Sequence, residues 1–144
     1  MNNIIKKGYI DMVGDLFHYG HVRLIKNVYE LGYNVVIGIH ADETVELYKR
    51  KPILTMDERI EVIKSCKYVS SIIKDAPLII TKKYLDKHNI DMVFHSHSLE
   101  EAHKYNKMYE IPLKLGKFTR TKYNIGISTT DIINRIIARK KRSF

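Results

Sequence analysis

The chain of 144 residues has a single cysteine, Cys66, so no internal disulfide can staple it. That argues against a secreted disulfide scaffold and for a reducing, cytoplasmic setting. Cys66 itself lies in an apolar-periodic stretch and reads as a packing residue. No run approaches the roughly 20 unbroken apolar residues needed to cross a bilayer, so no integral membrane segment is expected. The start, Met1-Asn-Asn-Ile-Ile-Lys-Lys, has no apolar stretch leading to a small-residue cleavage site, so no secretory signal is expected there. Linkers, internal repeats and low-complexity segments are also lacking, so residues 1–144 read as one domain with a frayed basic tail over 139–144. Acid is in short supply: 16 Asp and Glu face 25 Lys and Arg, a net charge of +9. The excess suits an anionic partner. Beyond the tail there is no clustered basic-aromatic motif, so nucleic acid is not the expected one.

Apolar runs alternate with helical periodicities. Strands are expected at Ile4 to Ile10, Asn34 to Ile39, Val69 to Ile73, Asp91 to His95 and Leu113 to Leu115. Helices are expected over Val22 to Leu31, from the capping box Thr55-Met-Asp-Glu58 onward, over Thr81 to His88 and Leu99 to Tyr109, and from Ser128 to the tail. The third-strand helix is expected to bury Ile60, Val62, Ile63 and Cys66, and the last helix to present Ile132, Ile133, Ile136 and Ile137. This order predicts an α/β fold: a mainly parallel sheet with helices on both faces.

Such sheets take ligands beyond the carboxyl ends of their strands, and anions dock at the helix N-terminus that follows. His18-Tyr-Gly-His21 falls at the first such junction. Three residues apart on a first turn, both imidazoles share a face, and Gly20 leaves room for a ligand near the backbone. Gly126-Ile-Ser-Thr-Thr-Asp131 opens the final helix with hydroxyls, a second anion-ready terminus. A zinc site is not expected: His95 and His97 are the available extra imidazoles, and no cysteine or carboxylate accompanies them.

These residues resemble a known family. His18-Tyr-Gly-His21 matches the H-x-G-H signature of the nucleotidyltransferase superfamily, and Gly126-Ile-Ser-Thr-Thr matches the signature of its cytidylyltransferase branch. Asp42-Glu43, Lys49, Glu58-Arg59 and Asp75-Ala-Pro77 with Thr81 look like the choline-phosphate and ethanolamine-phosphate enzymes. The similarity runs from residue 4 to about 137.

The resemblance implies a single Rossmann-like catalytic domain that transfers CMP from CTP to a phosphorylated alcohol and releases pyrophosphate, with Mg²⁺ carried on the CTP and no protein metal site. The acceptors, in order of preference, are phosphoethanolamine, phosphocholine and glycerol 3-phosphate. It implies catalytic roles for His18, His21, Lys49 and Arg120, with a protonated imidazole as the strongest donor to developing charge. Nucleotide contacts are implied for Gly20, Arg59, His95, Gly126, Ile127, Ser128, Thr129 and Thr130, with Asp15 bracing the histidine loop. Tyr105 and Tyr109 are candidates to meet an acceptor ammonium. Cys66-Lys-Tyr-Val69 resembles a segment at the family's dimer interface, which implies a homodimer. Several features depart from the pattern. Met12 stands where the family has glycine and Gly14 where it has an aromatic. The Arg120 to Ser128 stretch is lengthened, and His95-Ser-His-Ser98 replaces a histidine followed by carboxylates. Two alternatives stand beside this: an adenylyltransferase of the superfamily, against which Gly126-Ile-Ser-Thr-Thr and Asp75-Ala-Pro77 argue, and a non-catalytic nucleotide binder, which the altered His95-Ser-His-Ser98 segment favours.

Overall fold

The first strand, β1 (Lys7–Met12), alternates its side chains between two helical layers, with Tyr9 on one face and Ile10 on the other. A computed structural model describes residues 4–97, 99–121 and 127–142. Among these, the chain continues through α1 (Tyr19–Glu30), β2 (Asn34–Ile39), α2 (Asp42–Glu46), α3 (Met56–Ile63), β3 (Val69–Lys74), α4 (Lys82–Lys87), β4 (Met92–Ser96), a 3₁₀ turn at Leu99–Glu101, α5 (Ala102–Lys114), β5 (Phe118–Thr121) and α6 (Thr129–Lys141). The strands form one parallel sheet in the order β3-β2-β1-β4-β5. Ile10, Ile25, Val28, Val35, Ile37, Ile39, Ile63 and Phe94 form the core on one face. Tyr9, Val36, Ile80, Leu85, Ile90, Val93 and Tyr109 form the core on the other. The expected α/β sheet covered on both sides is therefore observed. Its order reverses between β1 and β4, where the carboxyl ends carry Asp11 and His95.

Several local expectations are corrected. The first strand starts three residues later than expected, because Ile4 and Ile5 lie exposed outside the sheet. Leu113 to Leu115 is not a strand: those residues end α5, and the last strand is β5. Pro112 sits inside α5 and has no N–H to donate to the carbonyl four residues back. That carbonyl, on Met108, accepts instead from the Ile80 N–H at 3.1 Å and ties α5 to the approach of α4. In α3, Ile63 is buried as expected, Ile60 and Cys66 are half-buried against the same core, and Val62 faces solvent. The fully buried α3 side chain beside Ile63 is Arg59. Helix α6 buries no residue completely, and Ile136 and Ile137 stay exposed. No helix among the described residues is long and apolar enough to cross a membrane.

Candidate active site

His18 is the N-cap of α1, not a residue of its first turn, and its extended backbone aims the imidazole back over the helix. Its Nδ1 accepts from the Gly20 N–H at 3.1 Å, while the His18 N–H donates to Nδ1 of His21, also at 3.1 Å. Two orphan amides of the helix start are satisfied by imidazoles in a capping-box arrangement. A nitrogen that accepts carries no proton, so each neutral ring holds its proton on Nε2. The rings lie 3.9 Å apart between centroids. Burial pushes the His21 pKa down to about 3, with the charges of His18 and Lys49 adding to the fall, and burial lowers His18 as well. The expected protonated donor is thus corrected for the free protein: the pair consists of two neutral N–H donors. Gly20 is corrected too. A Cβ there would come within 2.9 to 3.0 Å of the His18 ring and 3.2 Å of Ile127, so its small size makes room for the imidazole and Ile127, not for a ligand.

The loop before α1 is held from several sides. Gly14 has a positive φ of 67°, which suits a residue without Cβ. Both oxygens of Asp15 accept backbone N–H groups, from Ile53 at 2.8 Å and Leu54 at 2.9 Å, so Asp15 braces the loop as expected. Arg59 reaches the same loop from beneath. Its guanidinium donates to the carbonyls of Val13 and Leu54 and to Asp42 at 2.7 Å. It is fully buried and off the cavity wall, so the nucleotide contact expected of it gives way to a structural role.

The far end of the chain closes on this loop. Ser128 caps α6 by accepting from the Asp131 N–H at 3.1 Å. Thr129 donates its hydroxyl proton to the Asp15 carbonyl at 3.0 Å, and its oxygen lies 3.5 Å from Nε2 of His18. The two motifs therefore share one cavity of about 580 Å³, whose walls include His21, Lys49, Arg50, Lys51, Thr129 and Thr130. Arg50 donates to the Thr130 hydroxyl at 3.4 Å. Desolvation lowers the Lys49 pKa, while the charges of Glu101 and Asp11 act against that fall. Arg120 does not line the cavity: it is exposed on β5 and donates to the His97 carbonyl at 3.1 Å. Gly126 lies outside the described residues.

The same cavity also has an anionic and aromatic lining, with the Lys49 ammonium 5.5 Å from the centre of the Tyr48 ring. Asp11 is 3 % exposed and accepts from the Tyr109 hydroxyl at 2.6 Å through Oδ1. Its other oxygen makes no hydrogen bond and lies 3.4 Å from Nε2 of His40. Burial and then the Asp11 charge raise the Tyr48 and Tyr109 hydroxyls. His95, Tyr48 and Tyr105 complete this wall. Nδ1 of His95 and Nδ1 of His97 are 2.8 Å apart and share one proton between them, and the His95 ring packs on Tyr105 and Tyr109 at 4.6 and 5.0 Å. Burial pushes the His95 pKa down to about 4. Asp11, His40, Tyr48 and Arg50 were missed in the sequence reading. The available signal was a lone carboxylate near the end of an apolar first strand and a histidine directly after an apolar second one. Among the described residues no cluster of three or more His, Cys, Asp or Glu is placed to hold a metal ion.

A cleft lined with donors at the switch point of an all-parallel sheet defines a doubly wound α/β domain built to receive anions. The chain belongs to the cytidylyltransferase-like family, whose model matches residues 14–135. It is 40% identical over 133 residues to choline-phosphate cytidylyltransferase 2 of Arabidopsis thaliana, a match that covers 90% of this chain and 44% of that protein. It is 33% identical over 129 residues to an ethanolamine-phosphate cytidylyltransferase of Dictyostelium discoideum, covering 90% of this chain and 36% of that protein. The chain thus spans less than half the length of either relative. In fold it resembles the lipopolysaccharide core biosynthesis protein of Thermoplasma volcanium GSS1, with a TM-score of 0.64 and 24% identity, covering 83% of this chain and 99% of that one.

Proposed function

We propose that this chain transfers CMP from CTP to a phosphorylated amino alcohol, phosphoethanolamine or phosphocholine, and releases pyrophosphate. The observation that carries the reading is that one cavity holds two kinds of group: imidazole, lysine and hydroxyl donors, and a buried carboxylate among tyrosines. A triphosphate suits the first kind and the ammonium of a zwitterionic acceptor the second.

The acceptor phosphate is already ionised at neutral pH, so it needs no strong base. Its oxygen attacks the α-phosphorus, the bond from that phosphorus to the bridging β-oxygen breaks, and pyrophosphate leaves with the electron pair. The protein aligns the two phosphates and stabilises the charge that moves onto the leaving oxygen. Nε2–H of His18 and of His21 donate to those oxygens, and the Lys49 ammonium offsets their charge. Arg50 and Thr130 take the outer phosphates, where Arg120 had been expected. Mg²⁺ bound with the CTP would neutralise part of the phosphate charge, while Asp15 holds the loop through backbone N–H groups. We further propose a homodimer through Cys66-Lys-Tyr-Val69, which leads into the edge strand β3, and action in the cytoplasm.

Pyrophosphate release measured with CTP or ATP, Mg²⁺ and each of phosphoethanolamine, phosphocholine and glycerol 3-phosphate tests the reading. Release that requires CTP and a cationic acceptor is the expected result. Faster release from ATP would favour an adenylyltransferase, and CTP binding without release on any acceptor would favour a non-catalytic binder.

A further inference from the structure

His40 and Asp11 form a buried pair that the phosphate chemistry does not use. His40 is 2 % exposed, and its Nδ1 lies 3.2 Å from the carbonyl oxygen of Ala76. A carbonyl can only accept, so Nδ1 carries the ring proton. In the neutral ring the other nitrogen, Nε2, presents a lone pair to Asp11 Oδ2 across 3.4 Å. Two acceptors face each other with no donor between them, and Oδ2 has no hydrogen bond at all. An unsatisfied buried acceptor is rare in folded proteins and marks a place where a partner is to be supplied. Both residues line the cavity, so the donor can come from a ligand.

The surrounding rings narrow the choice of donor. A cation without N–H groups is held by aromatic faces arranged around it. Here the rings cover one another instead. His95 lies against Tyr105 and Tyr109, and His97 stacks on Tyr105 at 4.8 Å. The Tyr109 hydroxyl is engaged by Asp11 Oδ1. The Tyr48 ring already has the Lys49 ammonium 5.5 Å from its centre, so what the wall offers a further cation is the pair of acceptors Asp11 Oδ2 and His40 Nε2. A primary ammonium can donate one N–H to Asp11 Oδ2 and another to His40 Nε2. A trimethylammonium can donate to neither, and it leaves both acceptors unpaired while excluding water from them.

We infer that His40 is a specificity-determining residue which, paired with Asp11, selects an acceptor bearing a primary ammonium over one bearing a quaternary ammonium. This rests on the proposed transfer to a phosphorylated amino alcohol and names the member of that class the site takes. The selection has the asymmetric form seen wherever a site is built to hydrogen-bond its substrate: the analogue lacking the donors is penalised by the acceptors it strands.

The test compares kcat/KM for phosphoethanolamine and phosphocholine at saturating CTP in the intact chain and in His40→Asn. The asparagine amide occupies the place of Nδ1, so it keeps the bond to Ala76 and deletes only Nε2. The intact chain is expected to favour phosphoethanolamine by at least about a hundredfold. His40→Asn is expected to lower that preference at least about tenfold, through a higher KM for phosphoethanolamine, with the KM for CTP little changed. His40→Gln places an amide N–H where Nε2 stood, fills Asp11 Oδ2 from the protein side, and is expected to weaken the preference as well. Equal use of both acceptors by the intact chain, a preference for phosphocholine, or an unchanged preference in His40→Asn overturns the inference and leaves cytidylyl transfer standing. Preference for glycerol 3-phosphate, or no pyrophosphate from any acceptor, overturns both.

Discussion

Two pairs of histidines stand at this cavity, each with one ring on its wall, His21 and His95, and they behave differently. In the first, His18 and His21 each use Nδ1 to accept a backbone N–H, which leaves the ring proton on Nε2: His18 turns its own toward the Thr129 oxygen 3.5 Å away, and His21, on the cavity wall, keeps its own to offer a ligand. In the second, His95 and His97 turn Nδ1 toward Nδ1 at 2.8 Å and lie among tyrosine rings. What an imidazole can give a substrate is decided by what its other nitrogen already holds. The first pair presents an N–H donor to the cavity, and the second is a wall element whose internal hydrogen bond fixes the shape of that wall.

The strongest way to break this contrast is to remove a donor while keeping the cap. In His18→Asn the asparagine oxygen still accepts at the start of α1. The variant is expected to keep its melting temperature within a few degrees, and to lose about a hundredfold or more in the rate of pyrophosphate release, about 3 kcal/mol of barrier. Near-normal turnover would remove the first pair from the chemistry. A smaller effect is expected from His97→Asn, which deletes the ring stacked on Tyr105. Steady-state kinetics should place a loss of no more than about tenfold in the KM for the acceptor, with kcat almost unchanged. A large fall in kcat would mean that both pairs serve the phosphates.

The smallest effect concerns stability against pH. His21 and His95 have folded pKa values near 3 and 4 against an ordinary 6.5, so the unfolded chain binds protons that the folded chain refuses. Their contribution is complete above pH 6.5 and declines as the pH falls toward the folded values, by at most about 1.4 kcal/mol per histidine per pH unit. Thermal unfolding at pH 7.5 and 5.5 should show a lower melting temperature at the acidic value, and His21→Asn with His95→Asn should flatten the difference. An equal slope in that double variant would assign the acid sensitivity to other groups.

Much of this was legible in the sequence where the chemistry is local. Thr55 with Glu58, and Ser128 with Asp131, cap their helices through side chains only three residues away. Asn34 to Ile39 is an unbroken apolar run because both faces of β2 are covered. The elements that were misread depend on distant partners. The last turn of α5 looks like a strand because its apolar residues are few and adjacent, and only the Ile80 N–H on the Met108 carbonyl explains why Pro112 is tolerated there. Arg59 reads as a nucleotide contact until the Val13 and Leu54 carbonyls and Asp42 surround it. Asp11 is hidden in a strand because its partners, His40 and Tyr109, lie 29 and 98 positions further along the chain.

The threonine that bridges the Asp15 carbonyl and the His18 imidazole stands 111 positions after that imidazole. A contact of such long sequence separation forms late, after shorter loops have closed. A chain emerging during synthesis therefore folds most of its sheet before the Thr129 side of the cavity is in place. A single cut in the backbone between β5 and α6 should likewise leave the sheet standing and the ligand unbound.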